Sequence, residues 1–274
     1  MNIFYDADGL TVYQADVLDA LPSLPNGSID AVVTSPPYAM QRASTYGGVP
    51  EKDYPDWTVE WMNALKPALS ERGSVMLTIS PHVKGGMLAD YVLRMRLALR
   101  AEGWFEHDEL VWVKPNAFPA GAKSRPTRSW ESVLWYSLTS RPYSDPARNG
   151  SSNERKDTGF HRAAKWIHRG APSSTTPDRA NCRNFVSIGI GGRVGYAHPA
   201  IFPTALADWL MKINTPDGGT VLDPFAGSGT TAVAALHNGF QSVAIEREPE
   251  YAQMIVDRYK AELAKRNEGL FDAA

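Results

Sequence analysis

One segment constrains the fold of this chain more than any other: GGTVLDPFAGSGTTAVAALHNGFQSVAIEREPEY. Its first residues, Thr220–Leu222, are predicted to form a buried strand that ends at Asp223. A turn containing Gly227 and Gly229 follows, then a helix, then a second strand that ends at Glu246. Glycines allow such a turn to be tight and allow a ligand to approach the backbone closely. The segment therefore predicts a strand–turn–helix–strand unit with a ligand site at the carboxyl ends of its strands.

The spacing within this unit restricts the ligand. Glu246 stands 17 residues beyond Gly229, and an acid at the tip of the second strand commonly accepts hydrogen bonds from the two hydroxyls of a ribose. Ala232 occupies the place of a third glycine, and no Gly-Lys-Ser/Thr follows, so a phosphate-cradling loop is not indicated. The pattern favours an adenosine-bearing ligand without a pyrophosphate. S-adenosylmethionine fits, with its ribose at Glu246 and its amino-acid tail near Asp223.

Strand and helix patterns alternate along most of the chain, which predicts an α/β fold with a doubly wound, mostly parallel sheet. The predicted strands are Leu10–Val17, Ile29–Thr34, Ser74–Ser80, Glu109–Lys114, Ser132–Leu138, Thr220–Leu222 and Ser242–Arg247. The predicted helices are a short turn at Leu18–Leu24, then Asp56–Gly73, Met87–Gly103, Ala205–Ile213, Thr230–Gly239 and one from Pro249 towards Lys265. Residues 139–195 are polar, rich in arginine and without clear periodicity.

A second unusual stretch is IDAVVTSPPYAM, in which the buried strand Ile29–Thr34 ends at the corner Ser35-Pro36-Pro37-Tyr38. Prolines have no N–H group and cannot extend a sheet, so the corner is rich in acceptors and poor in donors. Acceptors beside an aromatic ring suit a planar ligand that presents an amino group. The residues alone leave a second interpretation open, since Ser-Pro and Pro-Pro are also common in ordinary turns.

The charge of the chain is unevenly distributed, although the net charge is only −2. From Lys114 to Arg193 there are 14 Lys and Arg against 5 Asp and Glu, a net charge of +9. The remainder has 14 against 25, a net charge of −11. Such a segment is either a solvated loop or a face that contacts nucleic-acid phosphates, and the size of the asymmetry favours the second interpretation.

Composition excludes several other classes of protein. The only cysteine is Cys182, so neither an internal disulfide nor a cysteine-cluster metal site is expected, and no metal site is predicted. No apolar run approaches the roughly 18 residues that would cross a bilayer, and the acidic start of the sequence does not look like a signal peptide. We therefore expect no membrane partner and a cytoplasmic protein, of a bacterial, archaeal or phage-infected cell.

The motifs TSPPY and DPFAGSGTT together resemble those of the DNA amino-methyltransferases, which methylate the exocyclic amine of cytosine (N4) or adenine (N6). The corner precedes the glycine turn and a basic segment separates them, which is the permuted order of the β class. HPAIFPTALADWL, ADVLDALPSLPNGSIDAVV, LVWVKPNAFP and RPTRSWESVLWYS also resemble family segments. The resemblance implies a seven-stranded, Rossmann-like sheet. It implies a catalytic half at residues 1–138, a target-recognition region at 139–195 and a cofactor-binding half at 196–274.

The resemblance also implies a set of site residues. It implies double-stranded DNA as the partner and S-adenosyl-L-methionine as the cofactor, and it is compatible with a homodimer. Residues expected to be catalytic are Ser35, Pro36, Pro37 and Tyr38. Residues expected to bind the cofactor are Asp16, Thr34, Phe202, Pro203, Asp223, Pro224, Phe225, Gly227, Gly229, Thr230 and Glu246. Residues expected to contact DNA are Arg155, Lys156, Arg162, Lys165 and Arg169.

In such enzymes the target base is extruded from the duplex into a pocket. Tyr38 would stack on this base, while the Pro36 carbonyl and the Ser35 hydroxyl would accept hydrogen bonds from its amine. Serine at the first position of the corner favours cytosine N4, with adenine N6 as the alternative. A protein glutamine methyltransferase and a non-catalytic nucleotide-binding module are two further alternatives, and the salt dependence of DNA affinity would separate them.

Overall fold

The computed structural model describes residues 3–40, 48–117, 125–151, 179–190 and 203–271. Its strands are β1 Ile3–Ala7, β2 Leu10–Gln14, β3 Ile29–Thr34, β4 Leu69–Ile79, β5 Val83–Lys84, β6 Met87–Leu88, β7 Phe105–Val113, β8 Trp130–Ser137, β9 Phe185–Ser187, β10 Thr220–Asp223 and β11 Gln241–Glu246. Its α-helices are α1 Val17–Ala20, α2 Tyr54–Leu65, α3 Tyr91–Ala101, α4 Thr204–Asn214, α5 Thr230–Asn238 and α6 Pro249–Phe271. Short 3₁₀ helices cover Leu21–Ser23, Lys66–Ala68 and Pro146–Asn149.

Nine strands of the described ranges form one sheet, in the order β1-β2-β11-β10-β3-β4-β8-β7-β9. The five strands from β2 to β4 in this order run parallel. β8 is antiparallel to both β4 and β7, and β1 is antiparallel to β2. The predicted doubly wound, mostly parallel, Rossmann-like sheet is therefore confirmed, with two strands more than the seven expected. β5 and β6 form a separate hairpin.

Helices cover both faces of the sheet, which explains the apolar composition of its central strands. Val32 of β3 packs in the core beneath α1, α2 and α3. Ala31 and Val33 of the same strand pack in the core on the opposite face, with α4 and α5. All three side chains are completely buried. Strands of a parallel sheet that are buried on both faces read as continuous apolar runs, and IDAVVT is such a run.

The strand directions place the candidate site residues at one edge of the sheet. β2, β11, β10, β3 and β4 all end at this edge because they are parallel. β7 runs parallel to β4, since both are antiparallel to β8, and it ends there too. β8 runs the other way, so its first residues lie at the same edge. Ligands bind beyond the carboxyl ends of the strands in open sheets of this kind.

Two predicted helices begin or end at different residues from those expected. α2 ends at Leu65, and Leu69–Gly73 belongs to β4 instead of the predicted helix. Pro67 explains the end, because proline lacks an N–H group and clashes with the carbonyl of the preceding turn. The second helix begins at Tyr91, and the residues before it form the β5–β6 hairpin. Two glycines of positive φ connect its strands, and Gly-Gly is a typical hairpin sequence.

β1 was not expected from the sequence. It pairs with β2 through Asp8 and Gly9, which have φ values of 55° and 85°. Positive φ at both central residues of a two-residue turn is the type I′ geometry that favours Asp-Gly. The turn signal was therefore present in the sequence, but β1 is only five residues long and most of its residues are exposed.

The amino ends of the central strands are joined by one carboxylate. Asp30 of β3 accepts hydrogen bonds from the backbone N–H of Thr220 at 3.0 Å and from the hydroxyl of Ser70 at 2.9 Å. It therefore connects β3 to β10 and β4 at the edge opposite the candidate site.

Asp30→Ala is expected to lower the free energy of unfolding by about 1–3 kcal/mol, because it leaves partly buried donors without their acceptor. Urea unfolding followed by circular dichroism measures the change. The matched control is Asp53→Ala, since Asp53 is exposed and makes no capping hydrogen bond with its side chain. Equal stability of the two variants would show that the Asp30 contacts contribute nothing.

Candidate functional site

A buried carboxylate joins the two motifs that the sequence placed far apart. Asp223, at the end of β10, is 2% exposed. Its Oδ1 accepts hydrogen bonds from the Thr34 hydroxyl at 2.7 Å and from the Phe225 N–H at 3.1 Å. Its Oδ2 accepts one from the Thr231 hydroxyl at 2.6 Å. Thr34 is the last residue of β3, so the Ser35–Tyr38 corner begins beside the glycine turn.

The glycine turn has the backbone conformation that its sequence predicts. Gly227 and Gly229 have φ values of 51° and 80°, in the left-handed region that glycine favours. A Cβ added to Gly229 would lie 3.1 Å from the Cα of Ile255, on α6. The missing side chain of Gly229 therefore allows α6 to pack closely against the turn. The space that a Cβ would take is filled by Ile255.

Glu246, at the end of β11, is held against the same turn. Its carboxylate accepts hydrogen bonds from the N–H of Gly227 at 2.7 Å and from the N–H of Glu248 at 2.9 Å. Glu246 is only 5% exposed. Burial raises the pKa of Glu246, the two N–H groups act in the opposite direction, and the nearby Asp223 raises it further.

The two buried carboxylates have no cationic partner within the described part of the chain. Hydroxyl and N–H groups supply all of their hydrogen bonds. Burial raises the pKa of Asp223 as well. Buried charges in proteins are usually paired, so a site built from Asp223 and Glu246 is electrostatically suited to a ligand that carries positive charge.

The Ser35–Tyr38 corner extends from β3 at the centre of this edge. Pro36 is buried, whereas Ser35, Pro37 and Tyr38 are partly buried. The Tyr38 hydroxyl donates a hydrogen bond to Oε2 of Glu131 at 2.8 Å. Burial raises the pKa of Tyr38 well above that of a free phenol, and the Glu131 charge adds to this, while a hydrogen bond with Ser35 acts in the opposite direction. The phenol is therefore neutral at physiological pH.

Glu131 and Lys114 form an ion pair that the sequence did not identify as part of the site. The side chains are 16% and 14% exposed, and the Lys114 ammonium lies 4.4 Å from the centre of the Trp112 ring. Glu131 lies opposite Trp112 in the β7–β8 pairing. The sequence did carry a signal for this pair. Glu131 is the only acid of β8, and Lys114 is a lysine directly after the neighbouring strand β7.

An aromatic cluster supports the turn from the side of α2. The Phe225 ring lies 5.5 Å from Trp57 and 5.2 Å from Trp61, measured between ring centres. Trp61 is completely buried, whereas Trp57 and Phe225 are partly buried. Both tryptophans belong to a helix that the sequence predicted, but its pattern did not indicate that they contact the glycine turn.

Of the remaining predicted cofactor residues, four are described by the structure and one is not. Asp16 accepts a hydrogen bond from Leu18 N–H at 3.0 Å and begins α1, beside the end of β11. Pro203 precedes α4, and Pro224 and Thr230 are buried in the glycine turn. Phe202 lies outside the described residues, as do all five predicted DNA-contacting residues, Arg155, Lys156, Arg162, Lys165 and Arg169.

Several described cations of the basic segment are used within the protein. Arg148 binds Asp217 at 2.8 Å and the carbonyl of Thr215 at 2.9 Å. Arg179 donates to the carbonyl of Gly150 at 2.6 Å, and Arg128 donates to the hydroxyl of Ser80 at 2.9 Å. The net charge of this segment therefore overstates the number of cations that could reach a phosphate.

We also searched the described ranges for a metal site, a membrane-spanning helix and a reactive cysteine. They contain no group of three His, Cys, Asp or Glu side chains that could hold a metal ion. They also contain no helix with the length and hydropathy needed to cross a membrane. Cys182 is partly buried, and burial raises the pKa of its thiol, so its reactive thiolate form is disfavoured.

Comparison with known proteins identifies the family and several relatives of this chain. A family model described as DNA methylase, for N6 and N4 methyltransferases, matches residues 29–257. The Type II methyltransferase M.Cfr9I of Citrobacter freundii is 29% identical over 293 residues, which cover 94% of this chain and 90% of that protein. The Type II methyltransferase M.PvuII of Proteus hauseri is 26% identical, with coverage of 93% and 85%.

Solved structures share the fold. The PvuII DNA methyltransferase, described as cytosine-N4-specific, superposes with a TM-score of 0.72 at 24% identity and covers 96% of this chain and 97% of its own. An M1.HpyAVI–SAM complex superposes with a TM-score of 0.62 at 22% identity, with coverage of 91% and 98%. The sheet described above is therefore the fold of these methyltransferases.

Gly229→Ala is expected to lower the free energy of unfolding through two effects, the positive φ of this residue and its contact with Ile255. The left-handed conformation costs an alanine about 1–2 kcal/mol, and overpacking against Ile255 adds about 1–3 kcal/mol. The matched control is Gly239→Ala, because Gly239 has a φ of 73° and a Cβ there would meet nothing within 4 Å. Urea unfolding of both variants measures the difference, and equal losses of stability would contradict the close packing of α6 on the turn.

Proposed function

The chain belongs to the DNA methylase family, and from that premise we propose that it transfers a methyl group from S-adenosylmethionine to the N4 amine of cytosine in DNA. The single observation that carries the proposal is the 2.7 Å hydrogen bond between Thr34 and Asp223. It joins the end of β3, where the base-binding corner begins, to the turn that would hold the cofactor. A reaction between a base and a cofactor requires these two sites to be neighbours.

The chemistry of the glycine turn fits S-adenosylmethionine. The cofactor supplies an activated methyl group on a positively charged sulfur, and it also carries an ammonium group. Asp223 and Glu246 are buried without a described cation, so a cationic ligand would be favoured there. Glu246 uses two N–H donors, and a carboxylate has about four acceptor positions. We infer that the remaining positions accept the ribose hydroxyls.

Asp223 supports this site indirectly. Its two oxygens already accept three hydrogen bonds from Thr34, Thr231 and Phe225. We infer that Asp223 sets the shape of the turn and contributes its charge, whereas Glu246 contacts the ligand. Asp16, Pro203, Pro224, Phe225 and Thr230 would complete the walls of the cofactor site.

The corner would bind the target base after it has left the duplex. The Pro36 carbonyl and the Ser35 hydroxyl would accept hydrogen bonds from the exocyclic amine, and the Tyr38 ring would stack on the base. These contacts would aim the amine nitrogen at the methyl group for an in-line displacement. Positioning of this kind accounts for much of the rate enhancement available to a transfer reaction.

Cytosine is favoured over adenine by two considerations. Ser35 occupies the first position of the corner, where the resemblance favours an N4 enzyme. The PvuII methyltransferase, which shares the fold, is described as cytosine-N4-specific. Adenine N6 methylation is the alternative, because both bases present a similar amine.

We also propose that residues 139–195 select the DNA sequence, in line with the positive charge of the segment from Lys114 to Arg193. Arg155, Lys156, Arg162, Lys165 and Arg169 would contact phosphates of double-stranded DNA. Type II methyltransferases are among the relatives, and such a role would place the protein in a restriction–modification system.

Glu246→Gln is expected to weaken S-adenosylmethionine binding by about tenfold or more, because hydrogen bonds to a charged group contribute about 1.5–3 kcal/mol. Burial raises the pKa of Glu246, so its carboxylate becomes protonated at a higher pH than that of an exposed glutamate. Wild-type affinity should therefore fall on acidification before the ordinary glutamate range is reached, and the variant should lack the part of this fall that comes from Glu246. Calorimetric titration across pH measures both effects.

Glu250→Gln is the matched control for this experiment, since Glu250 is exposed at the start of α6. It should bind the cofactor with wild-type affinity. Unchanged affinity in a folded Glu246→Gln protein would remove Glu246 from the cofactor site.

Ser35→Ala and Tyr38→Ala are expected to slow methyl transfer while leaving cofactor affinity nearly unchanged. Tyr38→Ala loses base stacking of about 1–3 kcal/mol, and Ser35→Ala removes one acceptor of the amine. Single-turnover transfer to DNA, followed by digestion and nucleoside analysis, measures the rate and identifies the product.

The product distinguishes the candidate reactions. Cytosine methylated at N4 supports the proposal, and adenine methylated at N6 supports the alternative base. A methyl group at carbon 5 of cytosine, or activity that is indifferent to both substitutions, would contradict the mechanism.

A further inference from the structure

We propose that Glu131, held in place by Lys114, is a positioning residue that fixes the Tyr38 ring as the stacking surface for the target base. This inference rests on the proposed function, because it concerns the residue that would stack on the base. It adds two residues that lie outside the TSPPY and DPFAGSGTT motifs. It also assigns a role to the ion pair between Glu131 of β8 and Lys114, which follows β7.

Three parts of the chain form a line of contacts from the Tyr38 hydroxyl through Glu131 to Lys114. Tyr38 itself follows β3, Glu131 lies near the start of β8, and Lys114 follows β7. The hydroxyl donates to Oε2 of Glu131 at 2.8 Å, and Lys114 binds the other carboxylate oxygen. The β7–β8 pairing places Glu131 opposite Trp112, whose ring lies 4.4 Å from the Lys114 ammonium.

The hydrogen bond restrains the one feature of Tyr38 that matters for stacking, the plane of its ring. The second side-chain torsion of tyrosine has a broad minimum, so packing alone leaves the ring some freedom of rotation. The hydroxyl oxygen lies on the axis of this rotation, but conjugation keeps its O–H bond close to the ring plane. A hydrogen bond to a fixed carboxylate therefore favours the ring orientation whose plane contains the acceptor. Bonds to a charged acceptor are about twice as strong as those between neutral groups.

Lys114 has two effects on this arrangement. It fixes the Glu131 carboxylate through an ion pair whose members are both largely buried. It also compensates a negative charge that would otherwise lie unpaired beside the base pocket, and an unpaired buried charge is strongly destabilising. Trp112 in turn restrains the ammonium by a cation–π contact.

The experiment uses the full-length protein and four variants. Tyr38→Phe keeps the ring and removes the hydroxyl, Glu131→Gln removes the charge, and Tyr38→Phe/Glu131→Gln combines them. The matched control is Glu106→Gln. Glu106 is paired with Arg96 at 2.5 Å with its side chain only 8% exposed, so it is another buried carboxylate, but it lies at the opposite edge of the sheet.

Single-turnover methyl transfer is the first readout. Tyr38→Phe and Glu131→Gln should each be slowed by about tenfold, the effect of losing one charge-assisted hydrogen bond. The double variant should be no slower than either single variant, because both changes break the same bond. Cofactor affinity should stay at the wild-type value in all three, and Glu106→Gln should retain the wild-type transfer rate.

The second readout does not depend on activity. Protein labelled with 3-fluorotyrosine is examined by fluorine NMR, and the Tyr38 resonance is identified by its loss in Tyr38→Phe. Glu131→Gln should move this resonance, because the Glu131 charge contributes to raising the pKa of Tyr38. Glu106→Gln should instead move the resonance of Tyr136, whose pKa is raised by burial and by Glu106.

The outcomes separate this inference from the proposed function. If Glu131→Gln slows transfer equally in the Tyr38→Phe background, Glu131 acts on the base directly and the positioning role is wrong. If transfer in Glu131→Gln equals that of the control, the inference fails while the methyltransferase function stands. If no transfer is detected in wild type, the proposed function fails. In that case the fluorine resonance still tests the Tyr38–Glu131 hydrogen bond, and a Tyr38 resonance that does not move in Glu131→Gln would overturn it.

Discussion

The hydrogen bonds of Asp223 are the constraint on which the rest of this structure depends. Burying a carboxylate costs free energy unless several donors satisfy it, and here Thr34, Thr231 and the Phe225 N–H do so. These donors belong to β3, α5 and the glycine turn. The carboxylate is therefore satisfied only when the central strands are in register and the helix begins at its observed position, so the fold and the site geometry are fixed together.

The order of the strands explains how motifs 189 residues apart become neighbours. β10 lies between β11 and β3, so the glycine turn is adjacent to both Glu246 and the Ser35–Tyr38 corner. Parallel strands bring all these residues to one edge because each of them follows a carboxyl end. The intervening chain adds β4, β8, β7 and β9 on the side of the corner, away from Glu246.

Much of this arrangement could be predicted because local patterns agree with the global fold. The run Ile29–Thr34 is a strand with the predicted bounds, and the strand–turn–helix unit around Gly227 and Gly229 forms as expected. The assignment of Leu69–Gly73 to a helix was wrong because apolar spacing cannot distinguish the end of a helix from the start of a buried strand. The Glu131–Tyr38 contact depends on the β7–β8 register, which no local pattern in the sequence specifies.

The two halves of the site differ in their electrostatics, and the difference bears on when the amine loses its proton. The cofactor half contains the buried carboxylates of Asp223 and Glu246 without a described cation. In the base half, by contrast, Lys114 compensates Glu131, and burial together with Glu131 keeps Tyr38 a neutral phenol. Ser35 is a weak base, so the corner offers acceptors but no group able to remove a proton from a neutral amine. Under the proposed mechanism, methyl transfer therefore precedes proton loss, because the methylated amine is positively charged and far more acidic than the amine that attacked.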